Sequence, residues 1–404
     1  MEESTVNKYT NKISESFSKA VDTIKKTNPR DVMRNLNQNM AVVVINVFLV
    51  IAIVFMFWNM YYNTTLEKKL CKKVNAKYEE MNGKISSITA GKKVAKDAPN
   101  NFEYYLNDYY IKSAYNACSV GNYQNSAVSL CILKDILKQG VRCLDFEIYS
   151  IDNNPIVATS VDKSYFVKET FNYVPFANVL LTLRDYAFSA SGAPNPRDPI
   201  IIHLRIKSSN QKMFSNMANM FRKISDVMLG KDYSFENHGK NLGRTPVTNY
   251  LGKIIVVADK SYPDFLESKA LNEFINMTSN SIFMRALRFT KDVKLTPDVA
   301  ELKTYNKQNF TIVLPDDTID PDNPNPLLSR NLGCQMVAMR YQKPGASMNE
   351  DMDFFSQHGH AFVLKPKELR YIPVFIDKPK PPNKKLSYKP RNVGNKSGLY
   401  KFDI

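Results

Sequence analysis

The sequence predicts an α/β fold, a (β/α)8 barrel of the TIM type preceded by one transmembrane helix. Three observations carry that expectation. Between residues 101 and 375, short runs of β-branched residues alternate with amphipathic stretches, as strand–helix units around a parallel sheet do. About eight such runs over roughly 270 residues suit a closed barrel better than an open sheet. Ahead of them, residues 40–58 read MAVVVINVFLVIAIVFMFW, with Asn46 the one polar interruption.

That stretch sets the first element, a transmembrane helix over 39–62 that follows a basic N-terminal segment, 1–38. At ~1.5 Å per residue a helix of this length comes close to the ~30 Å hydrocarbon core of a bilayer. Trp58, Tyr61 and Tyr62 follow as an interfacial aromatic belt. The polar segment before it is too long for a signal peptide, and no small-residue cleavage site follows. A soluble core helix is seldom apolar on every face for this length. Lys25, Lys26, Arg30 and Arg34 precede the span and Lys68, Lys69, Lys72, Lys73 and Lys77 follow it, a balance that tilts the large domain toward the cytosolic side. Sequons at Asn63, Asn276, Asn309 and Asn395 allow glycosylation in the lumenal case. In the cytosolic case the lysines after the span lie against anionic headgroups, at about 1 kcal/mol each.

Residues 63–100 read as a Lys-rich stalk or linker. The barrel domain follows over 101–375. Its candidate strands are YYIKS, RCLDFEIYS, PIVAT, PIIIHLRI, KIIVVA, SIFMRAL, NFTIVL, CQMVAMRY and AFVLK. AVSLCILKDILKQG, FANVLLTLRDYAF and MFSNMANMFRKISDVML are amphipathic helices between them. The Pro- and Lys-rich tail, 376–404, has the composition of a disordered segment or one draped on a surface.

The 404 residues are 44% hydrophobic and carry a formal net charge of +16. Partners should therefore be anionic, and without a nucleic-acid motif the expectation is membrane lipids with anionic headgroups, not nucleic acid. Asn, Lys, Ile and Tyr are abundant, which suggests an AT-rich genome and a viral or protist membrane. Cys71, Cys118, Cys131, Cys143 and Cys334 show no CxxC spacing and read as reduced, mostly buried thiols.

From Phe102 to about Arg370 the chain resembles the catalytic barrel of phosphoinositide-specific phospholipase C, with an X half at about 101–258 and a Y half at about 281–372. YYIKSAYNACSVGN, LKQGVRCLDFEIYSIDNNPIV, FANVLLTLRDYAF, DPIIIHLRIKSS and YLGKIIVVADK carry the X half. LSRNLGCQMVAMRYQKPGASMNEDMDFFSQHGHAFVLKPKELR carries the Y half. In that family one histidine assists attack of the inositol 2-hydroxyl on phosphorus, and a second protonates the leaving diacylglycerol oxygen. A calcium ion, held by an Asn, two acids two apart on a strand and a later Glu, stabilises the growing charge.

The resemblance, carried over position by position, is incomplete. The first histidine falls on Tyr115 and the second on Thr159. Asn116, Asp145 and Glu147 match calcium ligands, whereas the last ligand falls on Arg205. Positions that grip ring phosphates fall on Val257 and Asp259, and the substrate-gripping pair before the Y-half proline falls on Ile312 and Leu314. A threonine cannot donate a proton near neutral pH, and tyrosine, with a pKa near ~10, is a poor base. Each lost acid–base group is worth about 10²–10⁴-fold. A cation about 4 Å from a unit charge, at an effective dielectric of ~20, costs about 4 kcal/mol, roughly doubled for a dication.

The expectation is a site without calcium or any other cofactor, in which Asp145 and Glu147 pair with Arg205 across the barrel mouth. Bacterial members of the family replace calcium by an arginine, but that route still needs two histidines. His203, on the strand face of Arg205, is a relocated-base candidate or a barrel-interior histidine one layer down. His358 and His360 have metal-like spacing but more often serve a turn, and His238 reads as a loop residue. Tyr104, Tyr105, Tyr109 and Tyr110 pack a barrel entrance or form a lipid-contacting ridge. The function implied is a membrane-anchored, phospholipase-C-like pseudoenzyme serving as a lipid-surface binding or scaffold module. Its alternatives are an active phosphoric diester hydrolase with rearranged residues, calcium returning only in that case, and a structural membrane or virion component.

Overall fold

A long helix, α1 (Pro29–Tyr78), runs for 50 residues ahead of the barrel. The computed structural model describes residues 15, 18–19, 22, 29–78, 85–89, 104–161, 167–372, 392–394 and 396–403. Much of the expected basic segment, linker and tail lies outside them. Among the described residues α1 is the one helix long and apolar enough to cross a membrane, and its apolar window is wholly unburied. Phe48, Phe55 and Trp58 are each more than two-thirds exposed, an apolar surface of the kind that marks a protein or membrane contact.

α1 does not stop where the apolar stretch ends. The expected linker is helical as far as Tyr78, because Leu70, Cys71, Val74 and Tyr78 recur at three- and four-residue spacing and pack against α2 (Leu130–Lys138). Cys71 and Cys131 are joined in a disulfide, so the expectation of five reduced thiols is corrected; Cys118, Cys143 and Cys334 are free and buried. Spacing could not reveal the pair, since 60 residues separate its members and only the helix docking brings them together. Residues 85–89 lie against the barrel as well: Ile85 and Ile88 are buried, and the Ile88 amide donates to Asp198 Oδ1 at 2.8 Å.

Eight parallel strands form the barrel. They are β1 (Tyr109–Ala114), β2 (Cys143–Ile151), β5 (Ile200–Ile206), β6 (Ile254–Asp259), β7 (Met277–Ser279), β8 (Met284–Arg288), β9 (Phe310–Leu314) and β10 (Met336–Met339). Their order is β7-β6-β5-β2-β1-β10-β9-β8, and β7 and β8 lie together without ladder bonds, so the barrel is nearly closed. Two runs expected as core strands are side strands instead. β3 (Asn154–Ala158) folds back antiparallel on β2 and carries β4 (Val174–Pro175), while β11 (Phe362–Leu364) is antiparallel to β1. β7 takes the vacant place; at three residues it is too short to show a period. β12 (Asn392–Gly394) and β13 (Lys401–Asp403) pair as an isolated hairpin.

The remaining helices are α3 (Phe176–Thr182), α4 (Gln211–Arg222), α5 (Lys269–Asn272), α6 (Val299–Gln308), α7 (Pro326–Asn331) and α8 (Ala346–His358). Side-chain oxygens start most of them: Asn210 caps α4, Asp298 α6 and Asn325 α7. Alternation along the strands sorts the core into two shells. Leu144, Phe146 and Ile148 of β2, with Ile202, Leu204 and Ile206 of β5, pack outward against helices. Cys143, Ile201, Ile255, Val257, Ile312 and Met336 fill the lower barrel interior. Above that apolar plug the inward positions turn polar, and there the site begins.

Candidate functional site

Two strands set the site. Asp145 and Glu147 on β2 are register partners of His203 and Arg205 on β5. Residues two apart on a strand share a face, so all four side chains, with Lys207 and Tyr149, point into the upper barrel. Asn116 joins them from the turn after β1, held with φ at +44°, a left-handed conformation that Asn tolerates better than most residues.

Arg205 is the hub, and it is 2% exposed. Its Nη2 donates to Asp145 Oδ2 at 2.6 Å and to Asn116 Oδ1 at 2.9 Å, Nη1 to Glu147 Oε1 at 2.7 Å, and Nε to Asp145 Oδ1 at 3.1 Å. The ring of Tyr115 covers the guanidinium, 4.5 Å from its carbon. Glu147 Oε2 accepts from Tyr149 at 2.7 Å and from the Ser160 amide at 3.1 Å, and pairs with Lys207 at 3.1 Å. The sequence reading passed over Lys207 and Tyr149, although each lies two residues beyond a named site residue and period two alone would have included them.

The electrostatics follow from burial against pairing. Desolvation works to raise the Asp145 carboxyl, but Arg205 and the hydrogen-bonded His203 more than offset it and hold it well below the usual range. Glu147 is lowered in the same way by Arg205 and Lys207. Burial alone would lower the Arg205 guanidinium, yet Asp145, Tyr115 and Glu147 leave it more basic than in water. Burial raises the Tyr115 phenol, with Arg205 and Arg288 opposing, so still less of it is ionised and available to accept a proton.

Thr159 donates its hydroxyl to the Tyr123 carbonyl at 3.1 Å and is spent there. His203 lies beneath Arg205 and is wholly buried; Nδ1 meets Asp145 Oδ1 at 2.7 Å and Nε2 meets Ser279 Oγ at 2.8 Å. This Ser–His–Asp chain resembles a nucleophile relay in its order, but its hydroxyl is sealed inside the barrel. Val257 and Ile312 belong to the apolar plug, while Asp259 accepts from the Ser261 amide and from Asn280. Tyr109 and Tyr110 are buried at the opposite end of the barrel, far from the mouth. His358 and His360 each place Nδ1 against a carbonyl, of Phe354 and Ser86.

A cleft of about 350 Å³ opens above this network, lined by Ser160, Arg205, Lys207, Asp259, Tyr262 and Arg288 among others. Arg288 pairs with Asp317 at 2.6 Å and donates to the Tyr115 hydroxyl at 3.2 Å. A divalent ion does not fit the residues present. Asn116 Oδ1, both Asp145 oxygens and both Glu147 oxygens are occupied by donors, and a fixed cation stands among them. The arrangement neutralises two buried carboxylates with two cations, Arg205 and Lys207.

Comparison with known proteins matches residues 102–260 to the phosphatidylinositol-specific phospholipase C X domain and residues 259–368 to its Y domain. The chain is 23% identical over 331 residues to the mouse protein named inactive phospholipase C-like protein 2, covering 69% of this chain and 28% of that one. It is 32% identical over 379 residues to mouse 1-phosphatidylinositol 4,5-bisphosphate phosphodiesterase beta-1, covering 76% of this chain and 31% of the relative. This chain thus spans under a third of those relatives. Among solved structures, L. pealei PLC21 overlays with a TM-score of 0.55 at 20% identity, over 67% of this chain and 38% of that one, a likeness of fold.

Proposed function

The chain belongs to the phosphatidylinositol-specific phospholipase C family, and from that membership we propose that it is a pseudoenzyme, a membrane-anchored barrel that binds or organises partners at a lipid surface without cleaving lipid. One observation carries the reading: the Arg205 guanidinium fills the acidic nest formed by Asn116, Asp145 and Glu147. The family's two histidine positions are Tyr115 and Thr159, and both side chains are engaged elsewhere. The length and exposure of the apolar part of α1 support an anchor across the bilayer. The Cys71–Cys131 disulfide favours an oxidising compartment for the barrel, against the cytosolic side suggested by lysine counts.

The deciding experiment is turnover by the full purified chain on phosphatidylinositol and its bisphosphate in mixed vesicles with calcium. No product above background is the expected result. Steady turnover lost in His203→Ala would instead establish a hydrolase with relocated groups. Protection of the barrel from added protease in sealed vesicles of known sidedness reports the compartment.

A further inference from the structure

The last turns of α1 fix how the barrel meets the membrane. Glu67 accepts from Asn172 at 3.0 Å, and Leu70 lies against Gly121 in the turn after β1; both partners belong to loops on the mouth side. Eleven residues on, the Tyr78 carbonyl accepts from Gln139 at 3.3 Å, at the far end of α2. α2 itself runs from the mouth toward the barrel floor, because it joins the end of β1 to the start of β2. α1 therefore descends alongside α2 from mouth to floor, and its apolar stretch projects from the mouth end. Five residues separate Tyr62 from Glu67, about 7.5 Å of helix, comparable with the depth of one headgroup layer.

A second observation concerns the rim. Val167, Phe171, Tyr173 and Ile319 stand on the mouth-side loops with 41–50% of their surface exposed. Phe171 is tied to the loop after β1 through its amide to the Ser126 carbonyl, and Ile319 through its carbonyl to the Tyr123 amide. Large apolar and aromatic side chains held on one rim suit the boundary between headgroups and acyl chains.

We propose that residues 67–78 of α1 form a strut, tied to α2 by the Cys71–Cys131 disulfide, that holds the mouth-side rim of the barrel in the headgroup layer of the bilayer that α1 itself crosses. The partner of this surface is that lipid surface. The proposal rests on the membrane-anchored reading above but not on whether the site is inert. The strut makes contact with the bilayer a property of the fold, since the barrel cannot turn its floor toward the lipid while the bond is closed.

The test places a fluorescent amino acid at Ile319 or at Tyr371, on the barrel floor, in the full chain reconstituted in phosphatidylcholine–phosphatidylserine vesicles containing brominated phosphatidylcholine. Quenching several-fold stronger at 319 than at 371 is expected, with the ratio falling toward one after reduction or in the Cys71→Ser/Cys131→Ser variant. Equal quenching at the two positions in the oxidised chain overturns the orientation. An asymmetry unchanged by reduction, or free thiols at 71 and 131 in the native protein, overturns the disulfide's part. Reduction of the already reconstituted protein covers the case in which the serine variant fails to fold. Lipid turnover would overturn the pseudoenzyme reading alone and leave this result untouched.

Discussion

Glu147 and Arg205 are register partners across the β2–β5 ladder, and their side chains close a 2.7 Å ion pair inside the barrel. Neighbouring strands bring these two groups together as a consequence of pairing alone, so the contact needs no loop to position it. Asp145 completes the arrangement from the same face of β2, at 2.6 Å from the same guanidinium. Two buried anions thus share one fixed cation, and their stability depends on it.

Arg205→Ala should be severely destabilising, because it strands two desolvated carboxylates with only Lys207 and hydrogen-bond donors nearby. Removing one member of a buried ion pair costs about 3–5 kcal/mol. Urea unfolding of the variant beside the parent measures it. Arg205→Met combined with Asp145→Asn and Glu147→Gln should recover most of the loss.

Calcium should leave the thermal midpoint of the parent unchanged. Arg205→Glu places a third carboxylate among Asn116, Asp145 and Glu147, so that variant should be less stable without the ion and regain stability when calcium is added. Calcium at a hundredfold excess over its dissociation constant would add about 2.7 kcal/mol. Thermal scans with calcium, magnesium and chelator separate ion binding from salt effects.

Stability should depend on pH in two regimes of opposite sign. Asp145 and Glu147 have folded values below their ordinary ones, so their contribution is complete above an unfolded value of ~4 and is lost as pH falls through the lower folded values. Burial pushes Asp198 up to about 6, with Arg142 opposing. There the folded chain keeps a proton the unfolded chain releases, so stability falls as pH rises from ~4 toward that value. Buried Asp351 is likewise pushed up to about 6, so urea midpoints against pH should show Asp198→Asn weakening the second slope and Glu147→Gln weakening the first.

Placing imidazoles at both positions, as Tyr115→His with Thr159→His, should not produce lipid cleavage while Arg205 remains. Each acid–base group is worth about 10²–10⁴-fold only where the charge growing on phosphate is stabilised. A phosphatidylinositol assay of the double variant, with and without calcium, checks it; appreciable cleavage would mean that the guanidinium replaces the ion.

Opening Cys71–Cys131 should cost about 4 kcal/mol on the chain-entropy account of a loop this long. The bond closes a separation of 60 residues and joins the end of α1 to the start of α2. Differential scanning calorimetry of oxidised and reduced protein in detergent measures the change, with a lowering of the midpoint by roughly 10 °C expected.

The barrel was legible in the sequence where strands ran five residues or more with β-branched patterning, as in β2, β5 and β6. It was not legible where geometry alone defines the element. β7 carries three residues and no period, and β3 looks like a core strand because it is buried on a sheet, although it lies outside the barrel. The register of β2 against β5, which decides the site, follows from the inward placement of Asp145, Glu147, His203 and Arg205 at period two. Ser279 beneath His203 carried no signal, since a serine in a short strand has no neighbours that single it out. The Cys71–Cys131 bond is hidden for a different reason: lysines mask the apolar i, i+3, i+4 face of this stretch, and only its docking on α2 brings the two sulfurs together.

The saturation of the Arg205 network also constrains how this sequence can change over generations. Exchange of the arginine for an acid, taken alone, exposes the fold to a penalty comparable with a good part of the 5–15 kcal/mol that typically separates folded from unfolded chains. On the proposed reading, a histidine introduced alone would bring no catalytic gain to offset any cost. Every single step from this arrangement toward a metal-dependent one therefore leads downhill in fitness or sideways, and the passage requires coordinated substitutions. On the proposed reading the pocket would act as a ratchet, resisting departure by one substitution at a time.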